Sequence, residues 1–216
     1  FRFPYVDRIT SYARAKTLMK LGSERLKEIR DAGLTRVHVG LESGDKVTLE
    51  FMKKGATPED MIKGGIAAKD AGLELSFYIL IGAGGKTRLK EHALESARVC
   101  NNVNPDFIRL RTLVVQHGSY LEKFMLNGHY QTSSPIEKIK EVKILISLGR
   151  SLARKYANFV KCLPTISSLE KPDNLVNAGF ADLTYPLKSN VIIASGDNST
   201  RLRYLSSDFF NISSIC

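Results

Sequence analysis

Apolar positions along the first two-thirds of the chain follow two alternating rhythms. One is the near-continuous apolar run: Val37, Val39 and Leu41; then Leu75, Phe77, Ile79 and Ile81; then Phe107, Ile108 and Leu110. Such runs suit strands covered on both faces of a parallel sheet. They predict strands at about 7–13, 35–41, 74–81 and 106–113. The other rhythm is helical, as in Leu26, Ile29 and Ala32 at every third residue. Helices are expected at 23–32, 45–54, 58–71, 87–101 and 135–157. Ser23 can cap the first of them. Thr57-Pro58-Glu59-Asp60 supplies a cap, a proline at the first helical position and acids in the first turn. Ser134-Pro135-Ile136-Glu137 repeats that device as a capping box.

Asp-Ala-Gly-Leu occurs at 31 and again at 70. Each time a helix ends, Gly33 or Gly72 offers a left-handed cap, and a β-rich run follows. This is the αβ half of a βαβ unit, repeated. An α/β fold with parallel strands and right-handed crossovers is expected, as an open sheet or as a barrel arc. Four strands cannot close an eight-stranded barrel, which takes ~250 residues. The first strand is then left as an edge, open to unwanted pairing. The alternation stops near 157. Residues 1–157 are read as one barrel-like unit, and 158–216 as an irregular tail or small lobe. The tail carries two apolar runs, Val191–Ala194 and 208–212.

Composition narrows the setting. Of 216 residues, 43% are hydrophobic and 25% charged, an ordinary globular mixture. No apolar run approaches the ~20 residues of a membrane span, and no secretory leader is visible. The chain starts at Phe1, which suggests a piece of a longer protein or a processed product. The net charge of +10 favours an anionic partner such as RNA, although a solvated basic surface explains it too. Cys100, Cys162 and Cys216 are too dispersed for a disulfide framework or a metal knuckle, which points to the cytoplasm.

Ligands of parallel α/β folds bind beyond the carboxyl ends of the strands. The strand at 35–41 ends in Gly40-Leu41-Glu42-Ser43-Gly44. Glu42 can accept bonds from ribose hydroxyls or an ammonium, or it can pair with a neighbouring Arg. Ser43 can bind a ligand, or cap the next helix. His38 points to the same side as Gly40 and Glu42 and reads as an interior histidine. The strand at 74–81 runs into Gly82, Ala83, Gly84 and Gly85, where backbone N–H groups can approach a ligand, or a plain turn results. Neither a Walker motif nor Gly-x-Gly-x-x-Gly is present. Arg109 and Arg111 share a strand face with Phe107 and call for carboxylates, from Glu42 or from a substrate. Tyr12 and Arg14 share a face at the end of the first strand.

Five stretches together resemble the radical S-adenosylmethionine (SAM) enzymes, in their elongator-like and coproporphyrinogen-oxidase-like branch. They are Arg8-Ile-Thr-Ser-Tyr-Ala-Arg-Ala15, Arg36-Val-His-Val-Gly-Leu-Glu-Ser-Gly44, Phe51-Met-Lys-Lys-Gly55, Ile81-Gly-Ala-Gly-Gly85 and Pro105-Asp-Phe-Ile-Arg-Leu-Arg-Thr-Leu113. The likeness covers about residues 5–150. It implies a partial (β/α) TIM-like barrel. It also implies a [4Fe–4S] cluster that reduces SAM to methionine and a 5′-deoxyadenosyl radical, with electrons from a donor such as ferredoxin or flavodoxin. By the same likeness Glu42 and Ser43 contact the ribose and amino-acid parts of SAM. Lys54 meets the SAM carboxylate as a flexible point charge. Gly82, Gly84 and Gly85 line the adenine side. Tyr12 and Arg14 lie at the mouth, on SAM or substrate, and Arg109 and Arg111 face the substrate.

One departure is plain. The family's Cys-x₃-Cys-x₂-Cys triplet does not occur in these residues. The cluster ligands are therefore expected upstream of Phe1, and this chain by itself should be inactive. A cluster-less barrel that binds SAM, a nucleotide or a protein partner is the alternative. A third reading, an unrelated (β/α) enzyme with phosphate on the strand-end glycines, finds no nucleophile–base pair or metal triad. The substrate, a small molecule or RNA, is not specified.

Overall fold

The computed structural model describes residues 5–148 and the backbone of Val191–Ala194 and Arg203–Tyr204. Its elements are β1 (Ile9–Ala13), α1 (Ala15–Asp31), β2 (Leu34–Glu42), α2 (Lys46–Phe51), α3 (Pro58–Asp70), β3 (Glu74–Ile81), α4 (Leu89–Val103), β4 (Phe107–Thr112), α5 (Tyr120–Leu126), α6 (Pro135–Leu148), β5 (Val191–Ala194) and β6 (Arg203–Tyr204). The strands lie side by side in chain order in one sheet. β1 to β4 are parallel, the alternation the sequence predicts. β5 pairs antiparallel with β4, and β6 antiparallel with β5. The architecture is α/β: a partial (β/α) barrel of parallel strands, extended by this antiparallel pair. The expected end of the last helix, 149–157, and the apolar run 208–212 lie outside the described residues.

Strand alternation divides the side chains between two layers. Val37, Val39 and Leu41 of β2, Leu75, Phe77, Ile79 and Ile81 of β3, and Ile108 and Leu110 of β4 are buried in the core with residues of α1, α3, α4 and α6. Burying each of the larger ones contributes about 1.5–3 kcal/mol. The opposite face carries Thr10, Tyr12, His38, Ser76, Tyr78, Arg109 and Arg111. The helix layer is drawn close by small residues. A Cβ on Gly64 of α3 would lie 2.3 Å from the carbonyl oxygen of Ala15 at the start of α1. Asp106 sets the entry to β4, accepting from Leu75 N at 2.8 Å and from Lys69 Nζ at 2.6 and 2.7 Å.

The repeated caps form as expected. Gly33 (φ 118°) and Gly72 (φ 77°) follow α1 and α3 in the left-handed region. Thr57 and Asp60 make a reciprocal capping box. Two elements differ from expectation. α1 begins at Ala15, not 23, and Gly22 (φ 70°, ψ 169°) interrupts it, so Ser23 opens only its second half. The loop after β4 contains α5, capped by Ser119 Oγ on Glu122 N at 3.2 Å. None of its residues is buried, so no apolar rhythm announced it.

Candidate functional site

The tip of β2 is held in an uncommon shape. Its register with β3 shifts between Gly40 and Glu42, and Glu42 takes φ 60°. Left-handed backbone at a residue with a side chain costs on the order of 1 kcal/mol, and it concentrates at functional sites. Lys54 Nζ lies 3.0 Å from Glu42 Oε1, each side chain about a quarter exposed. Gly40 makes room for the pair: a Cβ there would stand 2.3 Å from Glu42 Oε1 and 2.9 Å from Lys54 Nζ. The fold thus joins two residues that the family resemblance assigned to the same ligand. The protein partner of Glu42 is this lysine, correcting the expected arginine.

Ser43 points the other way. Its hydroxyl is fully buried, accepts from Asp45 N at 2.9 Å and lies 2.7 Å from His92 Nδ1. The cap of α2 is Asp45, which accepts from Thr48 N, and not Ser43. Arg88 clamps Asp45 through two bonds of 2.7 and 2.9 Å. Burial pushes the Asp45 carboxyl up, but the bonds from Arg88 and Thr48 outweigh it and bring it down to about 2. Beyond Ser43, His92 Nε2 lies 3.0 Å from Glu141 Oε1, both side chains essentially without exposure. Glu141 also accepts from Gly82 N through both oxygens at 3.1 Å. Tyr130 donates its hydroxyl to Gly82 O at 2.6 Å.

The glycine turn is therefore embedded in protein. Besides these bonds at Gly82, a Cβ on Gly84 would meet Arg88 O at 2.6 Å, and one on Gly85 would meet Gln131 O at 2.7 Å. The absent Cβ atoms accommodate the chain's own backbone.

The inner face of the sheet carries its polar groups without such closure, Tyr12 exposed and His38 and Tyr78 buried. Tyr12, Tyr78 and His38 gather there, with ring centroids 5.3 to 6.2 Å apart. The Tyr12 and Tyr78 hydroxyls are 3.4 Å apart, and this neighbour raises the Tyr12 phenol above its usual range. Arg109 donates to Tyr78 OH at 2.7 Å, and the Arg111 guanidinium sits 4.9 Å from the Tyr78 ring centre. Neither arginine has a carboxylate partner among the described residues, so the expected pairing of Arg109 or Arg111 with Glu42 does not form. Burial, with the guanidiniums of Arg109, Arg36 and Arg8, pushes the His38 imidazole down to about 4, so it is neutral at pH 7. Arg14 stands exposed at the start of α1, with no side-chain cap bond.

A model described as "Radical SAM superfamily" matches residues 7–97, from β1 into α4. The tRNA uridine(34) acetyltransferase of Methanocaldococcus jannaschii is 25% identical over 165 residues, covering 76% of this chain and 30% of that protein. Over these residues the chain is similar to the radical SAM superfamily. The tRNA uridine(34) acetyltransferase of Methanocaldococcus infernus is 23% identical over 163 residues, covering 75% and 30%. The chain spans about 30% of the length of these curated relatives. The solved archaeal M. infernus Elp3 with an N-terminal deletion (1–46) shares the fold, with a TM-score of 0.55 at 18% identity, over 73% of this chain and 42% of that one. The radical SAM likeness falls in the elongator-like branch.

Radical SAM chemistry calls for a nucleoside sulfonium and an iron–sulfur cluster. The mouth fits the first. It presents a carboxylate acceptor and an ammonium side by side, next to aromatic faces and a buried, unpartnered His38 Nδ1. The described residues do not fit the second. They hold no cluster of three His, Cys, Asp or Glu able to ligate metal. Cys100 is wholly buried in α4, and burial pushes its thiol up to about 12. Cys162 and Cys216 lie outside the described residues.

Sequence reasoning left His92, Tyr130 and Glu141 without a role and gave Tyr78 none. Tyr78 could have been found by alternation, since Ser76 and Tyr78 interleave with Leu75, Phe77 and Ile79. The His92–Glu141 contact spans 49 residues of chain and leaves no local mark.

Proposed function

We propose that this chain forms the SAM-binding part of a radical SAM enzyme of the elongator-like branch. The observation that carries the reading is the strained Glu42 tip paired with Lys54 above an inner face of uncommitted polar groups. Glu42 accepts bonds from the ribose hydroxyls or the ammonium of SAM, and Lys54 offers its charge to the carboxylate. Tyr12, at the rim, covers the nucleoside, while Arg14 borders the mouth. The 82–85 turn supports the adenine side from behind, its backbone at Gly82 already bonded to Glu141 and Tyr130. Ser43, whose hydroxyl is engaged from behind, positions the tip. Arg109 and Arg111 face the substrate. Glu42 and Lys54 would hold SAM, which beside an iron–sulfur cluster would supply radical chemistry on the substrate. The cluster's thiolates belong to residues outside this chain, with electrons from a ferredoxin- or flavodoxin-type donor. RNA is the favoured substrate class, supported by the names of the relatives and the net charge of +10. The setting is cytoplasmic, supported by the dispersed cysteines. No helix among the described residues is long and apolar enough to cross a membrane.

Calorimetric titration of SAM into the chain tests this reading. Saturable binding that weakens in Glu42→Ala is the expected result. An equal loss of affinity in Lys54→Ala for SAM and for its decarboxylated analogue counts against the carboxylate role of Lys54. Failure of SAM to bind removes the proposal. Anaerobic reconstitution with iron and sulfide should leave the chain without [4Fe–4S] absorbance near stoichiometry. A stoichiometric cluster would refute the assignment of its ligands to another segment.

A further inference from the structure

The register of the inner face sets its polar groups in layers. His38, Ser76 and Phe107 lie side by side, then Gly40, Tyr78 and Arg109, then Leu80 and Arg111. His38 is 7% exposed and Ser76 is fully buried. His38 Nδ1, Ser76 Oγ and Arg109 Nε nevertheless have no hydrogen-bond partner. Buried polar atoms of native proteins are nearly always paired, so a group of three on one face calls for a partner that protein does not supply.

The charge of the face says which kind. Arg36 is satisfied by Glu74 through bonds of 2.7 and 2.8 Å. Its guanidinium reaches across β3 to stack 3.9 Å from the centre of the Phe107 ring, which closes the floor. Arg109 and Arg111 have no such carboxylate among the described residues. Arg109 meets the Tyr78 hydroxyl, and both guanidiniums lie within 5.4 Å of the Tyr78 ring centre. Glu42, the acid at the mouth, is already engaged with Lys54. The free groups are thus two guanidiniums, a serine hydroxyl and an imidazole that can carry its proton on Nδ1. All can donate, and the guanidinium fork matches the geometry of carboxylates and phosphates.

We propose that Arg109, Arg111, His38 and Ser76 form an oxyanion subsite, distinct from the Glu42–Lys54 pair, that takes a carboxylate or phosphoryl group of the substrate. The assignment to substrate rests on the reading of the strand ends as the SAM site. The floor made by Arg36 and Phe107 limits the subsite to a single group at the end of the ligand.

The test follows the His38 imidazole by nitrogen-15 NMR in the 216-residue chain, with its signal assigned by its loss in His38→Gln. Inorganic phosphate and acetate are titrated in separate arms at constant ionic strength, with chloride as the control. A saturable shift of the His38 signal is expected in one arm or both, and none with chloride. The phosphate arm identifies a phosphoryl group and the acetate arm a carboxylate. Arg109→Gln should weaken the response at least tenfold with the His92 signal unmoved. Arg111→Gln, at a more exposed position, provides the same comparison if Arg109→Gln does not fold. No saturable shift in either arm, or undiminished shifts in both arginine variants, overturns the subsite. SAM is titrated in parallel. An anion response without SAM binding leaves the subsite and removes the proposed function; SAM binding without an anion response does the reverse.

Discussion

Two sets of polar groups approach the carboxyl ends of β2 and β3 from opposite sides of the sheet. Behind the strands, Ser43, His92, Glu141, Tyr130 and the backbone of Gly82 close on one another within 2.6 to 3.1 Å and out of solvent, with His92 Nε2 in charge contact with Glu141 but without an aligned hydrogen bond. In front, Tyr12, His38, Tyr78, Arg109 and Arg111 share aromatic and guanidinium contacts, with polar atoms left over. Desolvated polar groups that satisfy one another fix a geometry. Those left unpaired carry a standing cost that a ligand can relieve. The back network is the frame that holds the two strand tips in place, and the front face is the proposed recognition surface.

The frame should yield the largest stability effects. Glu141→Leu removes the acceptor of Gly82 N–H and the neighbour of His92 in a site without solvent. It should cost about 3 kcal/mol in urea unfolding. A loss under about 1 kcal/mol would mean the network is decoration. Asp45→Asn comes next, at about 2 kcal/mol, because it breaks the two-bond clamp with Arg88. The same contribution carries a pH signature. The Asp45 carboxyl is lowered on folding, so its stabilisation is complete above about pH 4 and is lost as pH falls through about 2. In the Asp45→Asn variant the acid limb of the unfolding profile should flatten by that amount.

Effects on the front should be smaller in stability and larger in binding. A Cβ at Gly40 meets the ends of the Glu42 and Lys54 side chains, which can swing away. Gly40→Ala should therefore shift stability by less than about 1 kcal/mol while weakening SAM at least as much as Lys54→Ala does. Equal SAM affinity in Gly40→Ala and the parent chain would separate the pair from the ligand. Tyr78→Phe is the mildest change. It removes only the hydroxyl between Arg109 and Tyr12 and keeps the buried ring, so it should alter unfolding by about 0.5 kcal/mol, the low end for a single hydrogen bond.

The same division explains what could be read from the sequence. Strands, most helices, the repeated glycine caps and the strand residues Glu42, Arg109 and Arg111 were legible, because periodicity, capping and alternation are local rules, whereas Lys54, in the loop after α2, was marked only by the family resemblance. The start of α1 was missed because Gly22 resets the helix and hides the turn before it. α5 buries nothing and so leaves no rhythm. The opposite orientations of Glu42 and Ser43 follow from a single left-handed residue at the tip, and Glu141 reaches Gly82 from 59 positions away. Partners of that kind are fixed by packing, which one-dimensional spacing does not encode.

Glu42 and Ser43 are adjacent in the chain and assigned here to opposite sides of the frame. SAM affinity and unfolding free energy measured together on Glu42→Ala and Ser43→Ala are the most direct test. Glu42→Ala should lose about tenfold or more in affinity, some 1.4 kcal/mol, with its unfolding free energy nearly unchanged. Ser43→Ala should lose about 1–3 kcal/mol of stability, with a smaller loss of affinity. The reverse pattern, with Ser43→Ala intact in stability but blind to SAM and Glu42→Ala binding as the parent does, would contradict the account.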